Sequence, residues 1–263
     1  MVGWFAGAGA TLRDAAAALA DLVLPGSCAG CAADSGTPIC PGCAGVLSAT
    51  APHPATPTPA PAGMPPCAAL ADYDGVVREL LLGYKERGRH DLARPLGGLL
   101  ATVVAAGPAG PLALVPVPDT ARAARQRYGD HMARLAGYAA RALHDAGVPA
   151  AVFRPLSAAP RPDSATLDTA GRARSAVDAF RVRRSAVDAL QRATAAGAQV
   201  VILDDIVTTG VTLATVARQL GAVGVPVDRA AVLAATRRRV FCADPYPPRP
   251  VGESAPHSHS NEG

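Results

Sequence analysis

Two clusters in the 263-residue chain combine residue type and spacing in a way suited to chemistry. The first is Val200-Val201-Ile202-Leu203-Asp204-Asp205-Ile206-Val207-Thr208-Thr209-Gly210-Val211-Thr212. An apolar strand delivers two carboxylates at its C-terminal end, and a tight Thr-Thr-Gly turn then opens a helix. In open α/β sheets, ligands bind outside the carboxyl ends of the strands. A helix N-terminus offers backbone N–H groups without intrahelical partners and a partial positive charge, so it holds phosphate. Gly210 lets the backbone approach that phosphate, and Thr208, Thr209 and Thr212 add hydroxyl donors. Asp204 and Asp205 repel phosphate; they suit hydroxyl donors such as a ribose diol, or a Mg²⁺ ion. Together these demands describe a ribose 5-phosphate. The alternative is a threonine-capped helix beside two surface aspartates.

The second cluster is Cys28-Ala-Gly-Cys31 and Cys40-Pro-Gly-Cys43, a C-x2-C-x8-C-x2-C pattern. Each C-x2-C makes a tight knuckle that turns two thiolates to one side. Two knuckles close a tetrahedral S₄ shell, the coordination of a structural Zn²⁺ with no position left for catalysis. So small a module takes its folding energy from the metal, on the order of 10 kcal/mol. A disulfide pair and an iron–sulfur or redox role are the alternatives. Cys67 and Cys242 stand alone and read as structural thiols.

The elements that must position these groups follow from hydrophobic periodicity. Residues 11–24 form an amphipathic helix ended by Pro25-Gly26. Residues 50–66, rich in Pro, Ala and Thr, read as a linker that does not pack. Helical patterns cover 74–84 and 92–106. A proline-closed apolar strand covers 112–118, a helix 129–146 and a short strand 150–156. A long loop at 157–177 precedes a short strand at 179–182. The strand 199–203, the helix 211–220 and a last strand at 229–235 complete the pattern, before a polar tail from Pro245. Strands alternating with helices predict a parallel sheet covered on its faces.

Composition narrows the function classes. With 49 % hydrophobic and 17 % charged residues the chain can build a core. The net charge of +4 and 4 % aromatics argue against a nucleic-acid surface built on a basic stripe or on stacking platforms. No apolar run reaches the length of a membrane span, and Met1-Val2-Gly3-Trp4-Phe5 lacks the basic start of a secretory signal. A cytoplasmic location is the expectation.

The Val200–Thr212 segment resembles the phosphoribosyl-pyrophosphate (PRPP) loop of type I phosphoribosyltransferases. That resemblance implies that Asp204 and Asp205 hold the ribose 2′ and 3′ hydroxyls. It implies that Val207, Thr208, Thr209, Gly210, Val211 and Thr212 wrap the 5-phosphate, chiefly through backbone amides, with Mg²⁺ accompanying PRPP. A four-cysteine module ahead of such a domain resembles the ComF family, linked to competence and DNA uptake in some bacteria. Tyr73-Asp74-Gly75-Val76-Val77-Arg78, Tyr84-Lys85-Glu86-Arg87-Gly88 and Leu114-Val115-Pro116-Val117-Pro118 are similar to that family's segments, as is Arg172 with Ala179-Phe180. The departures are Asp130-His131 after Arg127-Tyr128-Gly129, where the family has Asn-Gln, and Ser175 where it has asparagine. A second cysteine pair of some relatives is reduced to Cys67.

The implied architecture is an α/β type I phosphoribosyltransferase fold, a parallel sheet flanked by helices behind a small four-cysteine zinc module. The divisions are 1–49 for the N-terminal helix and module, 50–66 for the linker, 67–241 for the phosphoribosyltransferase-like domain and 242–263 for a disordered tail. Cations for the departing pyrophosphate are Arg122, Arg125 and Arg127, directly after the V-P-V-P strand, and Lys85. Arg161, Arg172 and Arg174 lie in the long loop, which could close as a lid. His131 reads as a surface residue at a helix start, with proton transfer as the alternative. His90 and His144 read as surface residues, and His257 and His259 belong to the tail.

Three functions fit. One is a Mg²⁺-dependent enzyme joining ribose 5-phosphate to an unknown acceptor, with a homodimer as the assembly that the fold suggests. Another is a module that binds PRPP or a nucleotide without turnover. The third is an accessory to the DNA-uptake machinery, with the zinc module as its contact. A fold alone does not choose among them.

Overall fold

A computed structural model describes residues 26–119, 129–159 and 180–236. Five of the six strands in its main sheet run parallel. In chain order the elements are α1 (Pro41–Ser48), β1 (His53–Pro54), β2 (Cys67–Asp72) and α2 (Gly75–Glu86). A 3₁₀ turn at His90–Leu92 leads into α3 (Ala93–Ala105), β3 (Leu112–Pro116), α4 (His131–Asp145) and β4 (Ala150–Val152). Then come β5 (Leu156–Ala158), β6 (Phe180–Val182), α5 (Arg184–Ala195), β7 (Gln199–Val207), α6 (Val211–Ala222) and β8 (Arg229–Ala235). The strand order is β1-β2-β8-β7-β3-β4, and β5 and β6 form a separate antiparallel pair. Only β1 runs antiparallel in the main sheet, with His53 opposite Ala69.

The central strands are apolar throughout because helices cover both faces. Period-two alternation sorts their side chains. Leu112, Leu114, Val201, Leu203, Ala231 and Leu233 face the layer made by α2, α3 and α4. Ala113, Val115, Val200, Ile202, Ala230 and Val232 face α5 and α6, through Val187, Leu190, Leu213, Val216 and Leu220. Residues 200–203 are fully buried. Among the described residues no helix is long and apolar enough to cross a membrane.

Several expectations change. The strand expected at 199–203 continues through both aspartates to Val207, because β8 keeps pairing there, Ile206 with Ala234 and Val207 with Ala235. The strand expected at 150–156 divides into β4, in the main sheet, and β5, outside it. Residues 50–66 do pack: β1 adds an edge to β2, and Ala55 enters the core beside Cys67. Proline tolerates this place because an edge strand leaves one side of its backbone unpaired. The helix 11–24, most of the loop 157–177 and the tail beyond 236 lie outside the described residues.

Candidate functional site

Alternation along β7 sends its two aspartates to opposite faces of the sheet. Asp204 continues the row Val200, Ile202, and Asp205 continues the row Val201, Leu203. Asp204 is half-buried, and its Oδ1 accepts the backbone N–H of Asp205 at 2.9 Å. Burial first, and the charge on Asp205 second, push the Asp204 carboxyl up to about 8.

Asp205 is 6 % exposed and sits among cations. Its Oδ2 accepts from Lys85 Nζ at 2.6 Å and from His131 Nε2 at 2.7 Å. Burial alone would raise this carboxyl, but the His131 hydrogen bond and the Lys85 charge outweigh it and hold it down at about 2. Lys85 arrives from the last turn of α2, and His131 from the first turn of α4. The other face of the imidazole meets Asp119, just beyond β3, through a short Nδ1···Oδ2 contact. Asp119 Oδ2 also accepts the backbone N–H of His131 at 2.8 Å. Burial works to lower His131, yet hydrogen bonds to Asp119 and Asp205 raise it to about 9.

His131 is therefore not the surface residue expected: it is buried at 7 % exposure and joins two carboxylates. Asp130 beside it caps α4, its Oδ1 accepting from Ala133 N at 2.9 Å, while Oδ2 accepts from Arg154 at 2.6 Å. The sequence signal for His131 was its place one residue after a helix-capping aspartate. Helix phase puts such a position on the buried face whenever Leu135 and Ala139 follow it there.

Beyond β7, Thr208, Thr209, Val211 and Thr212 are exposed and Val207 and Gly210 are buried. Gly210 is the N-cap of α6, with φ of 72°. No side chain caps this helix, which removes the alternative of a threonine cap. Its first N–H groups are thus left for another acceptor. A Cβ on Gly210 would overlap the Met64 sulfur and press on Pro57 Cγ at 3.4 Å. The 50–66 segment thus lies against the phosphate-type turn, a contact no spacing in the sequence announced.

The four cysteines converge as expected. The Sγ atoms of Cys28, Cys31, Cys40 and Cys43 lie within 4.8 Å of one another, and none is in a disulfide. A ZnS₄ tetrahedron with Zn–S of ~2.3 Å has edges of about 3.8 Å, and Cys31 and Cys40 stand 3.6 Å apart. Backbone N–H groups of Gly30 and Cys40 point at Cys28 Sγ, at 3.4 and 3.2 Å. Burial would raise the Cys28 thiol, but these donors outweigh it and bring the thiol down to about 6. The donor set fits a structural Zn²⁺. Gly30 is required by closeness, since a Cβ there would stand 2.9 Å from Cys43 Sγ and 3.0 Å from Val76.

Residues 155–244 match the family model of the phosphoribosyl transferase domain. That stretch contains β7, both aspartates and the turn into α6, on the strand order given above. The mixed α/β fold, with its mostly parallel sheet, carries a phosphoribosyl transferase domain over these residues. Solved structures similar to this chain include the alanine mutant from an analysis of an invariant aspartic acid in HPRTs, at 19 % identity. The match covers 56 % of this chain and 68 % of that chain, with a TM-score of 0.32. The asparagine mutant from the same analysis is 20 % identical over 62 % of this chain and 71 % of that chain, with a TM-score of 0.32. Trypanosoma cruzi hypoxanthine phosphoribosyl transferase is 18 % identical over 56 % of this chain and 65 % of that chain, with a TM-score of 0.33. No curated protein matches the chain in sequence.

Lys85, expected on pyrophosphate, stands on Asp205. Arg122, Arg125, Arg127, Arg161, Arg172 and Arg174 lie outside the described residues, as do Cys242, His257 and His259. Cys67 is buried, and its thiol is pushed up to about 12 by burial and by Asp204, which makes it inert. His144 is exposed as expected, while half-buried His90 stands 3.4 Å from Arg134.

Proposed function

We propose that the protein is a ComF-like phosphoribosyltransferase that binds PRPP at the C-terminal edge of β7. The observation that carries this is the turn itself. Two aspartates lie near the C-terminal end of the strand, and a left-handed glycine then opens a helix whose N-terminus no side chain caps. In this reading Val207 to Thr212 wrap the 5-phosphate through backbone amides, where the helix dipole favours a dianion. Asp204 and Asp205 hold the ribose hydroxyls, and Mg²⁺ enters with PRPP as part of the substrate.

The reaction breaks the C1–O bond, whose electron pair leaves with pyrophosphate, and forms a bond from the acceptor's lone pair to C1; positive charge grows on the ribose between the two. Catalysis is then positioning and charge stabilisation. Arg122, Arg125 and Arg127 supply the cations for the leaving group. Lys85 acts first at Asp205, neutralising the charge that would otherwise repel the substrate's phosphates. The ComF-like reading is supported by the four-cysteine module packed behind the same core. It brings with it a cytoplasmic location, a homodimer and partners in DNA uptake.

Calorimetric titration with PRPP, with and without Mg²⁺, tests the site. Binding that disappears in the Asp204→Asn, Asp205→Asn double variant supports it. Equal affinity in that variant, or no binding to the native chain, overturns it. Pyrophosphate release in the presence of nucleobases or amines then identifies the acceptor, and binding without release leaves a PRPP-sensing module.

A further inference from the structure

The hydrogen bonds of His131 fix its protonation. A carboxylate only accepts. Asp205 Oδ2 lies 2.7 Å from Nε2, and Asp119 Oδ2 contacts Nδ1, so both ring nitrogens donate and the ring is an imidazolium. An imidazolium held at both ends has no lone pair to take a proton, which rules it out as a general base. Its surroundings fix it further. The Tyr84 ring packs edge-on at 6.1 Å, and the Tyr84 hydroxyl donates to the His131 carbonyl at 3.4 Å. From α2, Lys85 supplies a second cation to the same oxygen of Asp205. Arg134, on α4, faces Tyr84.

Both donors crowd onto Oδ2 of Asp205; its Oδ1 carries no hydrogen bond among the described residues. We infer that His131 is a positioning residue for the ribose: with Lys85 it pins Oδ2 of Asp205, leaving Oδ1 to accept a sugar hydroxyl, and through Asp119 it ties that carboxylate to the end of the V-P-V-P strand. The inference rests on the PRPP reading of the β7 turn. It assigns a second end to the strut: Asp119 directly follows Pro118, beyond the end of β3, and the arginines assigned to pyrophosphate follow it in sequence.

The test compares PRPP affinity, measured by calorimetry with Mg²⁺ near neutral pH, in the native chain and in His131→Ala, His131→Gln and Asp119→Asn. Ring ¹⁵N spectra accompany it. In the native chain both ring nitrogens are expected to carry protons. His131→Ala is expected to weaken PRPP binding about tenfold, the scale of losing an orienting charge-assisted hydrogen bond. His131→Gln, which keeps one N–H donor for Asp205, recovers part of that loss. Asp119→Asn leaves the His131–Asp205 contact in place, yet removes the imidazolium signature and weakens binding. Unchanged affinity in a folded His131→Ala overturns the inference. Should that variant fail to fold, Asp119→Asn decides: native affinity together with a neutral ring overturns it. A native chain that does not bind PRPP overturns the PRPP reading, and the inference falls with it.

Discussion

At Asp204, ionisation works against the fold. The folded value of about 8 lies above the ordinary carboxyl value, so the native state holds this proton more tightly than the unfolded chain does. The sign follows. Stability is lost as pH rises from about 4, and the loss levels off above about 8. Asn keeps the shape without the charge, so Asp204→Asn should melt higher than the native chain at mildly alkaline pH. The gap should close below about pH 4; thermal melts across that range check it. Asp205 behaves oppositely, since it sits between Lys85 and His131 with side chains only 18 % and 8 % exposed. Asp205→Asn strands two cations around a neutral amide and should cost about 3 kcal/mol, a fall of about 10 °C. Equal melting temperatures for the two variants would show that the aspartates share one environment. The residues Asp204 and Asp205 were legible as a pair from their place after four apolar residues. Their division between the two faces was not, because the strand was expected to stop at Leu203, and the alternation that separates them operates only while β7 continues.

Among the elements, the β7–α6 turn depends on Gly210. Its φ of 72° is costly for any residue with a Cβ, and the Met64 sulfur fills the space a Cβ would need. Gly210→Ala should lose about 1–2 kcal/mol from the backbone conformation alone, with more from the clash. Met64→Ala in the same chain removes the clash and leaves the dihedral strain. The double variant should recover part of the melting temperature and not all of it. Full recovery would show that backbone conformation carries none of the cost. Parallel strands and helices with clear apolar periods, such as β3, α2 and α4, could be read in advance. β2 and α5 could not. Half of Cys67-Ala-Ala-Leu-Ala-Asp is alanine, which is no strand former, and the segment gains its place by pairing with β8. α5 shows only Val187 and Leu190 to the core, too little for a periodic signal. β1 was hidden by its proline-rich composition, which describes an exposed edge as well as it describes a linker.

In the whole molecule, the cysteine module and the sheet share one core. Leu47 of α1 is buried in the layer made by α2, α3 and α4, with Ala29 and Ile39 packed against it. Arg89, held by Asp91 at 2.7 Å, donates to the Ser27 carbonyl at 3.0 Å. Metal loss should therefore be felt beyond residues 26–49. Chelation, or Cys28→Ser with Cys40→Ser, should remove zinc and lower the main calorimetric transition. Retained stoichiometric zinc in the double variant would reject the S₄ assignment. An unmoved main transition would show that the module folds separately.

The strand order β1-β2-β8-β7-β3-β4 also has a consequence for how the chain is made. β2 and β3 are synthesised early, yet the two strands that fill the gap between them are, among the described residues, the last strands to leave the ribosome. Until residues 199–235 emerge, β2 and β3 each present an open hydrogen-bonding edge toward that gap. Such edges pair readily with other chains. Nascent polypeptides stalled before Arg229 should accordingly collect in inclusion bodies or on chaperones. The site-bearing strand β7 is thus also part of the last closure of this sheet, so the Asp204–Thr212 turn takes its place only as the sheet is completed.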